Sequence, residues 1–188
     1  MRKIRDPALL DRLQGVTPQP FNSKIWRMAR AGRNPLVATR PKGRWDDGSF
    51  EVLYTALSPD AARAEMYFHL TRGQPVFPSQ LQIQLHEIEI EAQRVLIFQS
   101  IADLVPFGVD ASEFGGLAYS RLQVEYSITQ KIGEAAHFLG CDALVVPSAR
   151  WPEQNLVVIP ANPGSGKLKH ITDHGRQDLK AWGRLQGC

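Results

Sequence analysis

The sequence predicts an α+β fold, and three observations predict it. Helical 3.6-residue spacing and strand-like alternation follow one another along the chain without the regular strand–helix–strand rhythm of a doubly wound sheet. The 188 residues suffice for one well-buried core and fall short of two ordinary domains. Apolar residues make up 43% of the chain and charges of both signs are interspersed, the balance of a globular protein. We therefore expect a single domain over residues 1–188, with a helical extension over 1–20 and a tail over 164–188.

Asp6 and Pro7 open a first helix as cap and first-turn residue, and Leu9, Leu10 and Leu13 supply its apolar face. A short strand is expected over 24–29, where Ile25 and Trp26 stand among basic residues. From 31 to 49 the chain turns to Gly, Pro, Arg and Asp without periodicity, which reads as a long loop, and such loops in compact domains are usually functional or disordered. A strand over 50–57 follows, then a helix capped by Ser58-Pro59-Asp60 and running to about Thr71, with Gly73 and Pro75 beyond it. Leu81, Ile83 and Leu85 alternate in one phase and Ile88, Ile90 and Ala92 in the other, which predicts a bulge or bend. The run 95–98 stays apolar and 106–119 is irregular. A helix is expected over 127–139, ended by Gly140, then buried strands over 143–147 and 155–160. One weak strand and a helix over 178–185 complete the chain.

Several function classes are excluded by what the sequence lacks. The net charge of +3 suits an anionic ligand, but no basic run forms a nucleic-acid stripe. The two cysteines, Cys141 in an apolar run and Cys188 at the end, do not make a disulfide framework and point to a reducing compartment. The first residues lack a signal-peptide core and no apolar stretch is long enough to cross a bilayer, so the expected location is the cytoplasm. Gly164-Ser165-Gly166-Lys167 resembles a phosphate loop but has Ala161 and Leu168 where that motif needs glycine and Ser or Thr. His86-Glu87 has Ile90 where a zinc-protease helix needs its second histidine. No metal is expected. His69 and His137 read as ordinary helix residues, and the tryptophans read mainly as packing.

Three short features invite chemistry. Gly43-Arg44-Trp45-Asp46-Asp47-Gly48 closes the long loop just before Tyr54, and its glycines let the backbone approach a ligand that Arg44 could grip with its planar fork. Glu65 lies mid-helix one turn from Ala61, Ala62, Phe68 and His69, where a carboxylate is costly to desolvate without a partner or a task. Ser148 follows the apolar strand that ends at Pro147, a position where a buried strand emerges from its sheet.

Taken together, Gly43-Arg44-Trp45, the run from Val52 to Glu65, Thr129 to Ala136, Leu144 to Arg150 and Asn155 to Val158 resemble the RES-domain family, named for an arginine, a glutamate and a serine. The resemblance spans about 25–159 in the family's order. By it Arg44, Glu65 and Ser148 are the signature trio and Tyr54 the accompanying aromatic. One departure is Asp46-Asp47, where many members have Asn, and another is the extra helix before Phe21. The resemblance implies an ADP-ribosyltransferase-like core of two small sheets around an NAD cleft. It also implies a toxin of a bacterial toxin–antitoxin pair, with NAD as substrate and a cognate antitoxin covering the active site. Some members destroy NAD by hydrolysis or phosphorolysis, and at least one branch transfers ADP-ribose to a metabolic enzyme, phosphoribosyl pyrophosphate synthetase.

The residues suit that chemistry. Breaking the nicotinamide–ribose bond creates an oxocarbenium-like centre, as in glycosidases. Glu65 would face that charge, Arg44 with Arg27 and Arg150 would neutralise phosphate, and Tyr54 and Trp45 would border the bound nucleotide. Ser148 would orient the ligand or Glu65, since no histidine base stands near it in sequence. ADP-ribose transfer is the expected outcome, with outright NAD breakdown as one alternative and a non-catalytic ligand- or partner-binding module as another.

Overall fold

The computed structural model describes residues 5–72, 81–115, 119–162 and 167–187. Helix α1 spans Pro7–Gln14, with the Asp6 carboxylate accepting hydrogen bonds from the amides of Ala8 and Leu9. Strand β1 is Gln19–Arg30, β2 is Leu53–Ala56 and helix α2 is Pro59–Thr71, capped by the Ser58 hydroxyl. Strand β3 is Ile83–Ile97, followed by a 3-10 helix over Ile101–Phe107 and helix α3 over Tyr119–Phe138. Strands β4 (Ala143–Pro147), β5 (Gln154–Val158) and β6 (Lys167–Arg176) precede helix α4 (Leu179–Leu185). Among the described residues no helix is long and apolar enough to cross a membrane.

Where two small sheets were expected, the strands form one six-stranded sheet, because β3 is long enough to pair along both of its parts. Its first part pairs antiparallel with β1 and β6, and its end, Val95 to Ile97, pairs parallel with β4. Strand β4 pairs with β5 and β5 with β2, and β2 meets β1 at Trp26 and Ala56. The pairing β1–β3–β4–β5–β2–β1 is therefore a closed ring. Ile25, Leu53, Ile88, Ile90, Val95, Ala143, Val145, Leu156 and Val158, drawn from all of its strands, form one core.

A second core lies between the outer face of β4–β5 and the helices, where Leu144, Val146 and Val157 meet Leu9, Leu13, Leu104 and Ile132. The extra N-terminal helix is thus a packing element of this core. A third core sets Ala61 and Ala62 of α2 and Leu179 of α4 against Met28, Ala56, Ile83 and Leu85.

Several boundaries differ from the expectations, each for a physical reason. Strand β1 begins five residues before the expected 24, because its partner β3 is long enough to pair with it as far back as Gln19. Strand β2 is shorter than expected: Val52 pairs instead with Thr39, inside the long loop. The phase change in β3 is not a slip against β1, whose register runs unbroken from Arg30–Ile83 to Phe21–Ala92. Ile83 and Leu85 face the third core, whereas Ile88 and Ile90 face the ring interior, so each part of the strand buries a different side. Two irregularities fall on the β6 edge, between Gln84 and His86 and between Glu87 and Ile88. Helix α3 starts at Tyr119, ahead of the expected 127. Gly73, Pro75 and the Gly164-Ser165-Gly166 turn lie outside the described residues.

Candidate functional site

A cleft of about 560 Å³ opens where α2, the long loop, β1, β2 and the β4–β5 turn converge. Arg27, Arg44, Trp45, Tyr54, Glu65 and Arg150 all border it. Residues far apart in sequence meet here because β2, β4 and β5 are neighbours and α2 packs across β1 and β2.

Glu65 is held by the sheet. Its Oε1 accepts a hydrogen bond from Ser148 Oγ at 2.7 Å and another from Asn155 Nδ2 at 2.7 Å. Ser148 stands just beyond the end of β4, and its amide donates to the Glu153 carbonyl across the β4–β5 turn. The Ser148 hydroxyl also accepts from the Arg150 amide at 3.0 Å. With its proton given to Glu65 and a lone pair given to Arg150, the Ser148 hydroxyl ties α2 to the β4–β5 turn. The hold has a cost: Asn155 Oδ1 is buried with no hydrogen-bond partner among the described residues. A buried acceptor left unsatisfied costs about 1–3 kcal/mol, which is tolerated where something other than stability fixes the side chain. Asn155 was not singled out as a site residue from sequence, although it lies in the Asn155-Leu156-Val157-Val158 run.

The opposite wall is the loop. Asp46 is fully buried and turned inward, where its oxygens accept from the amides of Lys42 (2.8 Å), Gly43 (2.8 Å) and Gly48 (3.1 Å). The Tyr54 hydroxyl donates to Asp46 Oδ2 at 2.9 Å and accepts from the Trp45 amide at 2.9 Å. The departure at Asp46 therefore organises the loop from within. Gly43 packs so closely on Tyr54 that a Cβ there would lie 2.7 Å from its hydroxyl. Helix α3 braces the loop from behind. Gln130 Nε2 donates to the Gly43 carbonyl at 2.7 Å, and a Cβ on Gly133 would come within 1.9 Å of the Trp45 carbonyl oxygen. The match of Gln130 and Gly133 to the family pattern thus has a mechanical reason that sequence reading did not supply.

The arginines are positioned by π faces and carbonyls. The Arg44 guanidinium lies 4.7 Å from the centre of the Phe114 ring. Arg150 stacks 3.5 Å over Phe68 and donates to the Gly115 carbonyl at 2.8 Å. Arg27 donates to the carbonyls of Pro35 (2.6 Å) and Val37 (3.0 Å), so it braces the loop as well as bordering the cleft. Burial lowers its pKa from the ordinary value. Trp45 is only 2% exposed and packs in the second core, so it shapes the wall instead of offering a free face. Tyr54, half buried, borders the cleft with its ring while its hydroxyl serves the loop. Lys42 and Arg72 also border the cleft, and Glu65 is the one carboxylate among its described lining residues.

The model of the RES domain matches residues 24–180. The chain belongs to the RES-domain family. Among solved structures, this RES domain is similar to a chain of the M. tuberculosis MbcT–MbcA toxin–antitoxin complex, with a TM-score of 0.75 at 20% identity, covering 97% of this chain and 99% of that one. That likeness shows a shared fold and agrees with the expected α+β class. An anti-CRISPR protein superposes at a TM-score of 0.37 and 11% identity over 83% of this chain and 98% of that one, too loosely to argue from. No curated protein sequence matches the chain.

Proposed function

We propose that this RES domain is the toxin of a toxin–antitoxin pair, and that it cleaves NAD at the nicotinamide–ribose bond and passes the ADP-ribose to an acceptor protein. The observation that carries the reading is the pinned carboxylate of Glu65, set in a cleft whose other charged lining residues, Arg27, Lys42, Arg44, Arg72 and Arg150, are cationic. Such a lining attracts the pyrophosphate of a dinucleotide, and arginine forks match phosphate oxygens. The scissile bond breaks with its electron pair leaving on neutral nicotinamide, so the transition state needs a negative charge beside the ribose more than a strong acid. Glu65, aligned through Oε1, meets that need. Arg44 and Arg27 would bind phosphate, and Tyr54 would border the nicotinamide ring.

The acceptor, on the family's precedent, is a metabolic enzyme such as phosphoribosyl pyrophosphate synthetase. Water or phosphate as acceptor would make the same first step an NAD-degrading reaction. No metal is needed for either. The toxin reading draws support from the shared fold with a chain of a toxin–antitoxin complex. An antitoxin that inserts an acidic side chain or a terminal carboxylate among these arginines would exclude NAD. The protein would act in the cytoplasm, where NAD is at hand.

The test is to incubate the purified protein with NAD and measure free nicotinamide. Release is expected from the parent, and Glu65→Gln should lower it on the order of 100-fold or more while leaving the melting temperature near the parent's. A folded Glu65→Gln protein working at the parent rate would remove Glu65 from the chemistry. A parent that releases nothing, and whose induction without an antitoxin leaves growth and cellular NAD unchanged, would favour a non-catalytic binding module.

A further inference from the structure

Helix α2 turns one continuous stripe toward the cleft: Ala62, Glu65, Met66 and His69 border it at the three- and four-residue spacing of a helix face, and the C-cap residue Arg72 borders it too. The sequence reading set His69 aside as an ordinary helix residue. It stands one turn beyond Glu65, an exposed residue that borders the cleft. We propose that His69 is the general base of the second half of the reaction, taking the proton from the acceptor as it attacks the ribose carbon. The proposal rests on the NAD reading above and adds the residue that serves the acceptor.

The chemistry of the cleft leaves this task open. Glu65 Oε1 is occupied by Ser148 and Asn155, and its charge is needed beside the ribose cation. The Ser148 hydroxyl already donates to Glu65 and accepts from the Arg150 amide. The remaining titratable side chains on the described lining are Tyr54, whose hydroxyl is tied to Asp46 and Trp45, and lysine and arginines, which are cations at neutral pH. His69 is the lining group that is a proton acceptor there. The walls partly strip its hydration, which lowers its pKa from the ordinary 6.5; nearby Glu65 opposes that shift, and Arg72 and Arg150 add to it. The imidazole therefore stays neutral at neutral pH, the form a base requires.

The spacing also fits. Residues four apart on a helix have Cβ atoms roughly 5–6 Å apart, enough to set a carboxylate at the sugar and a second group at a small nucleophile beside it. Glycosidases that work on the same kind of cation likewise divide the task between two side chains, one at the sugar and one at the attacking water. In the step itself the ribose carbon–nitrogen bond breaks, with its electron pair leaving on nicotinamide. A bond forms from the acceptor heteroatom to that carbon, and the acceptor proton passes to the imidazole and then to solvent. No oxidant or reductant enters.

The test compares nicotinamide release by the parent and by His69→Gln from pH 5 to 8 (about the span in which a histidine titrates), with and without sodium azide. Azide is already ionised and needs no base. The parent should hold a plateau at neutral pH and lose rate on the acid side, below the ordinary histidine value. His69→Gln should lower kcat on the order of 100-fold with KM for NAD unchanged, lose the acid limb, and recover rate in azide. An unchanged kcat would overturn the base role, as would a loss confined to KM, or a loss that keeps the parent's pH profile and ignores azide. If His69→Gln does not fold, the parent decides alone, since a profile without an acid limb overturns the proposal. A parent that releases no nicotinamide overturns the NAD reading and this role with it, whereas an active parent matched by His69→Gln overturns only this role.

Discussion

The two walls of the cleft are built on different principles. On one side Glu65 sits on a helix and is pinned by Ser148 and Asn155 from adjacent strands, so its position follows from regular structure. On the other side Arg44 rides on a loop without regular structure of its own, held by the buried Asp46, the Tyr54 hydroxyl and the flank of α3. The first wall is as rigid as the sheet. The second is as rigid as a few hydrogen bonds and one close backbone contact. The proposed charge-stabilising carboxylate is thus set in the frame, and the proposed phosphate-binding arginine is set on the loop.

That contrast can be broken most sharply at Gly133. Adding a methyl there places it against the Trp45 carbonyl at a distance no real contact permits, and the atom it meets is backbone. Gly133→Ala should destabilise the protein by about 3 kcal/mol or more and weaken NAD binding, because the loop must back away from α3. Chemical denaturation and a ligand titration measure the two effects. An unchanged midpoint would mean that the loop does not rest on α3.

Ser148→Ala comes next and acts on the other wall. It removes one of the two donors to the Glu65 carboxylate, and a hydrogen bond to a charged group contributes about 1.5–3 kcal/mol. Expressed as barrier height, that is roughly a 10- to 100-fold loss of kcat with little change in KM. A pure KM effect would assign Ser148 to ligand binding instead.

Tyr54→Phe should be milder, about 1–2 kcal/mol of stability, as Asp46 loses one donor and the Trp45 amide its acceptor. The ring stays, so any contact it makes with a bound nicotinamide stays too. The loss should appear as looser NAD binding, with kcat nearly intact. Equal losses in kcat and binding would show that the loop wall also positions the reacting bond.

The smallest effect is expected at Lys42, the described non-glycine residue with positive φ, at 54°. Lys42→Gly relieves a backbone cost of about 1–2 kcal/mol and adds a chain-entropy cost of roughly 0.5–1, for a net gain of about 0.5 kcal/mol. A clear destabilisation would mean that the Lys42 stem, which lies against Gly48, is a real packing contact.

The two walls also differ in how much of them was legible. Helix α2 and strand β4 match the sequence reading almost residue for residue, since Ser58-Pro59 and the run Ala143-Leu144-Val145-Val146 carry strong local signals. Glu65 falls on the first of them and Ser148 directly after the second, as the sequence predicts. Nothing local marks Asn155 or His69 as a cleft residue. Each is ordinary for its element, and only the neighbours that the fold brings to it set it apart. The α2 spacing of Glu65, His69 and Arg72 was available as a signal, but a polar helix stripe is more often a solvated face.

By itself the sequence determined the class of the fold, the order of its elements, and, through the family pattern, the trio of Arg44, Glu65 and Ser148. Those properties follow from periodicity, caps and short motifs, which are local. Tertiary structure alone decided that β3 buries different sides along its length, that Asp46 turns inward, that Trp45 is packing, and that Ser148 and Asn155 share one carboxylate oxygen. Each depends on residues brought together from distant parts of the chain, Asn155 to Glu65 across 90 positions among them. Such pairings are fixed by burial and hydrogen-bond satisfaction across the whole core, and no window of sequence contains both partners.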